Sequence, residues 1–160
     1  MWRMRNRVPG RRAVTVEVES QIEIERPRED VAAYASEPDN LPAWHENIAD
    51  ITWESPRPLA VGTRIVFVAE VLNRRLTYIY EVTDLVAGEL LVMSTEEGPF
   101  PIETTYTWEE LTEGTTRMTL RNRGEPTGLA KKMSAPLVAR SIRRANEADL
   151  RRLKQILEQP

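Results

Sequence analysis

LAKKMSAPLVARSIRRANEADLRRLKQIL, residues 129–157, has the spacing of one long helix with an apolar and a polar side. The residues of its apolar side recur every three or four positions. They are Leu137, Ser141, Ala145 and Ala148, with Ile142, Leu150, Leu153 and Leu157 widening the stripe. Pro136 is expected to bend the helix or to restart it after Ser134. A helix of this length would span about 43 Å, which is more than any strand here needs, so the stretch predicts a sheet wrapped around a terminal helix.

Before this helix the chain is mostly strand. Residues 14–24 alternate between apolar and polar side chains, the pattern of a half-buried strand. Two short helices follow, one opened by Pro27 and one between Pro38 and Trp44. Six further strands are separated by turn residues: 48–54, 63–72, 76–85, 90–95, 102–111 and 115–123. This order predicts an α+β fold, a curved seven-stranded antiparallel sheet whose concave face is closed by the C-terminal helix.

Length and composition indicate one domain over residues 14–158 of the 160-residue chain. No apolar run approaches the roughly 18 residues of a membrane span, so we expect no stable membrane insertion. The chain has no cysteine, which excludes a disulfide framework and a cysteine nucleophile and suits a cytoplasmic location.

The charge of the chain is unevenly distributed. Residues 1–13 contain five arginines and no acid, and they lack the apolar core of a signal peptide, so they are expected to form a disordered leader. Removing these five from the 22 basic residues leaves 17 against 25 acidic residues in the body of the chain. A body with net negative charge argues against nucleic-acid binding, since nucleic-acid binders concentrate positive charge on one face.

Six segments resemble the START-like, or SRPBCC, superfamily. They are VESQIEIERPREDVAAYASEPDNLPAWH (18–45), VGTR (61–64), NRRLTYIYEVT (73–83), EGPFPIETTYTW (97–108), GTTRMTL (114–120) and ADLRRLK (148–154). The superfamily includes polyketide cyclase/dehydrase and lipid-transport proteins with a helix-grip fold. The resemblance implies that fold, with a ligand cavity between sheet and helix. It does not select among carriers, hormone receptors and aromatase/cyclases, because the matching positions are mostly turns, strand alternation and helix packing.

Strand parity suggests which side chains would line such a cavity. The apolar parity of the third strand holds Phe67, and the corresponding parities of later strands include three tyrosines. A buried tyrosine offers an apolar ring and a hydroxyl that needs a partner, so these residues are candidates to orient a mostly apolar ligand, or alternatively to pack the core. The predicted ligand-binding residues are Trp44, Phe67, Tyr78, Tyr80, Tyr106, Trp108, Met118, Asn122, Met133 and Leu137.

His45 is the only histidine and is placed where the short helices would meet the cavity mouth. Histidine exchanges protons near neutral pH, so His45 and Tyr106 are the candidate catalytic residues, with Glu46 as a possible partner of His45. A structural histidine or a ligand contact are the alternatives. One histidine without cysteine argues against a zinc site, and no nucleotide or phosphate motif is present, so we expect neither metal nor cofactor.

Three functions are compatible with these residues. The first is a protein that binds or carries a small hydrophobic or aromatic molecule, as a monomer or homodimer. The second is an enzyme resembling the polyketide aromatase/cyclases, in which a cavity tyrosine or His45 transfers a proton. The third is an interaction protein with a filled core, which apolar residues on the outer sheet face, Val66, Val68 and Ile79, would favour.

Overall fold

The computed structural model describes residues 14–71, 73–96, 101–127 and 134–160. Its elements are β1 (Val16–Ile24), α1 (Arg28–Ser36), a 3-10 turn (Pro38–Asn40), α2 (Leu41–Trp44), β2 (Ile48–Trp53), β3 (Arg64–Val71), β4 (Arg74–Val86), β5 (Leu90–Thr95), β6 (Ile102–Thr112), β7 (Thr115–Gly124) and α3 (Ala135–Leu157). The predicted element order is confirmed. The leader at residues 1–13 lies outside the described residues.

All seven strands form one antiparallel sheet in the order β1-β7-β6-β5-β4-β3-β2. Consecutive strands from β2 to β7 pair as neighbours in the sheet. The first strand instead pairs with the last, Val16 opposite Gly124 and Ile24 opposite Thr116. This pairing leaves α1 and α2 as the connection between the two ends of the sheet, and α3 packs back onto β1.

The start of α3 explains the role of Pro136. Ser134 occupies the N-cap position and Pro136 lies in the first turn, where a missing backbone N–H breaks no helical hydrogen bond. Pro136 therefore lies in the first turn of α3 and marks the start of the helix. The predicted helical residues 129–133 lie outside the described residues.

The inward face of α3 differs from the predicted stripe. Leu137 is 63% exposed and Ser141 is also exposed, whereas Val138 is buried against Val16 and Val18 of β1. The inward face is thus centred about one residue later than expected. It also includes two polar residues, Asn146 and Asp149, which a hydrophobicity pattern assigns to solvent.

Two apolar clusters hold the ends of α3. Val138 belongs to the smaller cluster with β1, and Leu150 and Leu153 belong to the main core with Trp44 and the inner faces of the strands. Between these ends the helix presents smaller and polar side chains, including Ala145 and Asn146, and here a cavity opens against the sheet. Across the described ranges, no helix combines the length and apolar character needed to span a bilayer.

Candidate functional site

The cavity lies between the concave face of the sheet and the middle of α3 and has a volume of about 230 Å³. Strand alternation determines its walls, as the parity of the sequence predicted. Paired strands bring their inward residues side by side, so Phe67 of β3 lies opposite Tyr78 of β4, and Tyr106 of β6 lies opposite Leu120 of β7. Apolar side chains on the walls include Phe67, Ala69, Met93, Ile102, Leu120 and Ile142.

The structure brings six of the predicted site residues to this cavity, and they come from four strands and the segment after α2. They are His45, Phe67, Tyr78, Tyr80, Tyr106 and Asn122. The rings of Phe67 and Tyr80 stack, with their centroids 4.7 Å apart. The lining is therefore mostly apolar, with hydroxyl and amide groups placed among the rings.

Four other predicted ligand contacts lie elsewhere. Trp44, Trp108 and Met118 are buried in the core and are not among the lining residues, because their side chains are covered by other core side chains. Trp44 instead supports the site, since its ring lies 3.9 Å from the His45 ring and 5.8 Å from the Tyr106 ring, measured between centroids. Leu137 is exposed to solvent because the inward face of α3 is centred about one residue later than predicted. Met133 lies outside the described residues.

His45 connects α3 to the sheet through a chain of hydrogen bonds. It directly follows α2, where its backbone N–H closes the last turn on Leu41. Its ring Nδ1 lies 2.9 Å from Oδ2 of Asp149, and its Nε2 lies 2.9 Å from the hydroxyl of Tyr106. The expected partner Glu46 contributes only its backbone N–H, which donates to Oδ1 of Asp149 at 3.0 Å. We call Asp149, His45 and Tyr106 the relay.

The partners of the relay determine where its protons lie. The Asp149 carboxylate accepts from Glu46 N–H and from Nδ1–H of His45, since a carboxylate has no proton to donate. With the proton held at Nδ1, the Nε2 lone pair accepts from the Tyr106 hydroxyl. Asp149 therefore fixes the tautomer of His45 and orients its ring, as a carboxylate does for a metal-bound or catalytic histidine.

Burial raises the pKa of two cavity phenols, those of Tyr106 and Tyr80. Desolvation raises the pKa of Tyr106 far above the ordinary 10.0, and the negative charges that Tyr80 and Asp149 would carry nearby raise it further. Desolvation also raises the pKa of Tyr80, with a smaller contribution from Tyr78. Both hydroxyls therefore remain hydrogen-bond donors, and a tyrosinate is not a resting state of the site.

We expect Tyr106 to ionise only when the protein unfolds. An unfolded phenol ionises near pH 10.0 and the buried one does not, so the stability contributed by the neutral form is complete below that pH and falls as pH rises above it. The absorbance change at 295 nm, compared between the wild type and Tyr106→Phe, measures this ionisation, and circular dichroism follows unfolding. Reversible ionisation of Tyr106 near pH 10 in the folded protein would show that burial does not control its pKa.

A second group of polar side chains lies beside the relay, where β6 and β7 meet α3. Thr104 donates from its hydroxyl to Oδ1 of Asn122 at 2.8 Å, and Nδ2 of Asn122 donates to Oδ1 of Asn146 at 2.9 Å. All three line the cavity, and all three are buried. Only Asn122 of these was among the predicted ligand contacts. We call Thr104, Asn122 and Asn146 the amide cluster.

Asn146 and Asp149 were missed because both occur in a highly charged helical stretch, where polar residues are read as solvent-facing. A signal was present, since they share a helix face with Ile142 and Leu153 at spacings of three and four. Within the described residues, His, Cys, Asp and Glu do not gather in groups of three or more that could hold a metal ion.

Known proteins share this fold of a sheet packed against a helix, which in this chain leaves a cavity that contains a few polar groups. The family described as polyketide cyclase / dehydrase and lipid transport matches residues 15–158, and the chain belongs to that family. The comparison with curated proteins yields no match.

Several solved structures share the fold. A START superfamily protein from Mycobacterium smegmatis is 14% identical with a TM-score of 0.78, covering 89% of this chain and 97% of its own. The Zhui aromatase/cyclase from Streptomyces sp. R1128 is 14% identical with a TM-score of 0.73, covering 91% and 94%. The major latex-like protein 151 from Panax ginseng is 14% identical with a TM-score of 0.72, covering 91% and 99%. At these identities the similarity establishes the fold alone.

Proposed function

We propose that this protein binds a small, mostly apolar or aromatic molecule in the cavity between the sheet and α3. The observation that carries this proposal is the cavity itself, about 230 Å³ with apolar walls and a few buried polar groups. A cavity of roughly 150 Å³ is large enough for benzene, so this one suits a compound of one or two rings. The presence of this cavity argues against the filled core expected of an interaction protein.

Filling the cavity should abolish binding. Ala145 lines it from α3, so Ala145→Phe places a ring in the space that the ligand would use. We expect wild-type protein to bind 2-naphthol saturably in a fluorescence titration, and Ala145→Phe to lose at least tenfold in affinity. Ser141→Phe is the matched control, because Ser141 is on the exposed side of the same helix. Equal binding by both variants would place the 2-naphthol site outside the cavity and contradict the proposal.

A second candidate is an acid–base enzyme of the cyclase or dehydratase type, and the relay favours it. Tyr106 lines the cavity and is hydrogen-bonded to His45, which is in turn held by Asp149. When a substrate gives a proton to the Tyr106 oxygen, the phenol can pass its own proton to Nε2 of His45. In the reverse direction, an imidazolium donates to Tyr106 while the phenol protonates a substrate oxygen. Coupled transfer avoids a tyrosinate, which burial disfavours.

Cyclisation and dehydration of a keto compound require few groups beyond this relay. One proton must leave a carbon next to a carbonyl, and one must reach the oxygen that becomes an enol or departs as water. A single relay can perform both transfers in turn if the cavity holds the chain in the reacting geometry. The descriptions of the family and of the Zhui aromatase/cyclase are consistent with such chemistry.

A further inference from the structure

The amide cluster has a hydrogen-bond donor left over. Its hydrogen bonds run from the Thr104 hydroxyl to Oδ1 of Asn122 and from Nδ2 of Asn122 to Oδ1 of Asn146. The remaining group, Nδ2 of Asn146, is buried and has no partner in the part of the chain that the structure describes. Asn146 itself is only 5% exposed and is one of the residues lining the cavity. Buried amide groups are normally paired, because an unpaired donor loses its hydrogen bond to water without replacement.

Apolar packing does not account for this arrangement. Asn146 points inward at the part of α3 where the neighbouring lining positions carry Ile142 and Ala145, so it places a polar side chain on an otherwise apolar stretch of the wall. Hydrogen bonds link three polar side chains from β6, β7 and α3 instead, and they hold the Asn146 side chain at the cavity wall. A donor held in this way is typical of a site that recognises an acceptor oxygen on a ligand.

The amide cluster and the relay are neighbours along both walls of the cavity. Asn146 and Asp149 are three residues apart on α3 and therefore share a helix face. Thr104 and Tyr106 are two residues apart on β6 and share a strand face. Three helical residues rise about 4.5 Å and two strand residues about 7 Å, so the positions that carry the two polar groups are offset by roughly 5–7 Å along the cavity walls. A compound of one or two rings can reach both.

We propose that the cavity recognises a ring ketone that also carries a hydroxyl. The ketone oxygen accepts from Nδ2 of Asn146, and the hydroxyl meets Tyr106 at the relay. This inference rests on the proposed function, and it deepens that function by naming the substrate class. It assigns Asn146 as the residue that selects a carbonyl over a plain hydrocarbon ring.

Three compounds with the same two-ring skeleton test the assignment by isothermal titration calorimetry. The compound 6-hydroxy-1-tetralone has both oxygens, 1-tetralone has only the ketone, and 5,6,7,8-tetrahydro-2-naphthol has only the hydroxyl. We expect the first to bind wild-type protein about tenfold more tightly than the third, because one additional hydrogen bond satisfies the buried donor.

The variant Asn146→Asp keeps the acceptor for Asn122 and replaces the free donor with an oxygen. We expect it to bind both ketones at least tenfold more weakly and to change the affinity for tetrahydronaphthol less than threefold. The matched control is Ser20→Ala. Ser20 is also buried with an unpaired hydroxyl, but it does not line the cavity, so its loss should change no affinity.

A measurement on wild-type protein covers the case in which Asn146→Asp does not fold. In a ¹⁵N–¹H spectrum, the ketones should shift the side-chain amide signals of Asn146 downfield, and tetrahydronaphthol should not. Binding of all three compounds with equal affinity, without that shift, would overturn the role of Asn146 and leave the proposed function standing. Failure of all three to bind would contradict the proposed function and this inference together.

Discussion

Replacing Tyr106 with phenylalanine is expected to reduce acid–base turnover in the cavity by about 10²–10⁴-fold, the usual contribution of one positioned proton donor or acceptor. Tyr106 is the member of the relay whose hydroxyl both bonds His45 and lines the cavity. Phenylalanine keeps the ring that packs between Trp44 and Trp108 and removes only the hydroxyl. Turnover should therefore fall much more than affinity for an apolar compound.

Exchange of the C2 protons of 1-tetralone in D₂O, followed by NMR, measures this proton transfer without knowledge of the natural substrate. Tyr78→Phe is the matched control, because Tyr78 lines the same cavity but is not part of the relay. We expect wild-type protein and Tyr78→Phe to accelerate exchange and Tyr106→Phe to lose the acceleration. Equal rates with Tyr106→Phe and wild type would remove the second candidate function while leaving ligand binding untouched.

Removing the carboxylate of Asp149 is expected to lower the free energy of unfolding by about 2–4 kcal/mol, because two partly buried donors lose their acceptor at once. These donors are Nδ1–H of His45 and the backbone N–H of Glu46. Asp149 is only 7% exposed, so water does not readily replace the lost bonds. Urea unfolding of Asp149→Ala measures the loss. Glu147→Ala, on the exposed side of the same helix, should change stability by no more than about 0.5 kcal/mol.

Asp149→Asn separates the positioning role of this residue from its stabilising role. Its amide NH₂ can donate to Nδ1 of His45, which moves the histidine proton to Nε2 and removes the acceptor of the Tyr106 hydroxyl. We expect the variant to remain folded and yet to exchange tetralone protons as slowly as Tyr106→Phe. The ring nitrogen shifts of His45 in ¹⁵N NMR report the tautomer directly. An unchanged tautomer with lost exchange would mean that Asp149 does not act through His45.

The sheet could be predicted from sequence because each strand carries its own local signal. Alternating residues indicate which face is buried, and turn residues indicate where each strand ends, so Phe67, Tyr78 and Tyr106 were placed on the correct side. The inward face of α3 could not be predicted as well. Its stripe is interrupted by Asn146 and Asp149, and their burial depends on partners from other elements.

The partner of His45 shows the same limit of local reasoning. Glu46 is adjacent in sequence, but adjacent side chains rarely face each other. The observed partner, Asp149, lies 104 residues away, and only the packing of α3 against the segment after α2 brings it within 2.9 Å. Sequence could therefore identify His45 and Tyr106 as candidates. It could not predict that they are joined or that a buried carboxylate orients them.

Native mass spectrometry of the protein purified from its own host tests most directly whether the cavity is a binding site. We expect wild-type protein to carry a discrete additional mass that denaturation releases as an apolar or aromatic compound containing oxygen. Ala145→Phe, produced in the same host, should carry no such mass because its side chain occupies the cavity. The same bound mass on both proteins would contradict binding in the cavity, as would its absence from wild-type protein that also fails to take up added 2-naphthol.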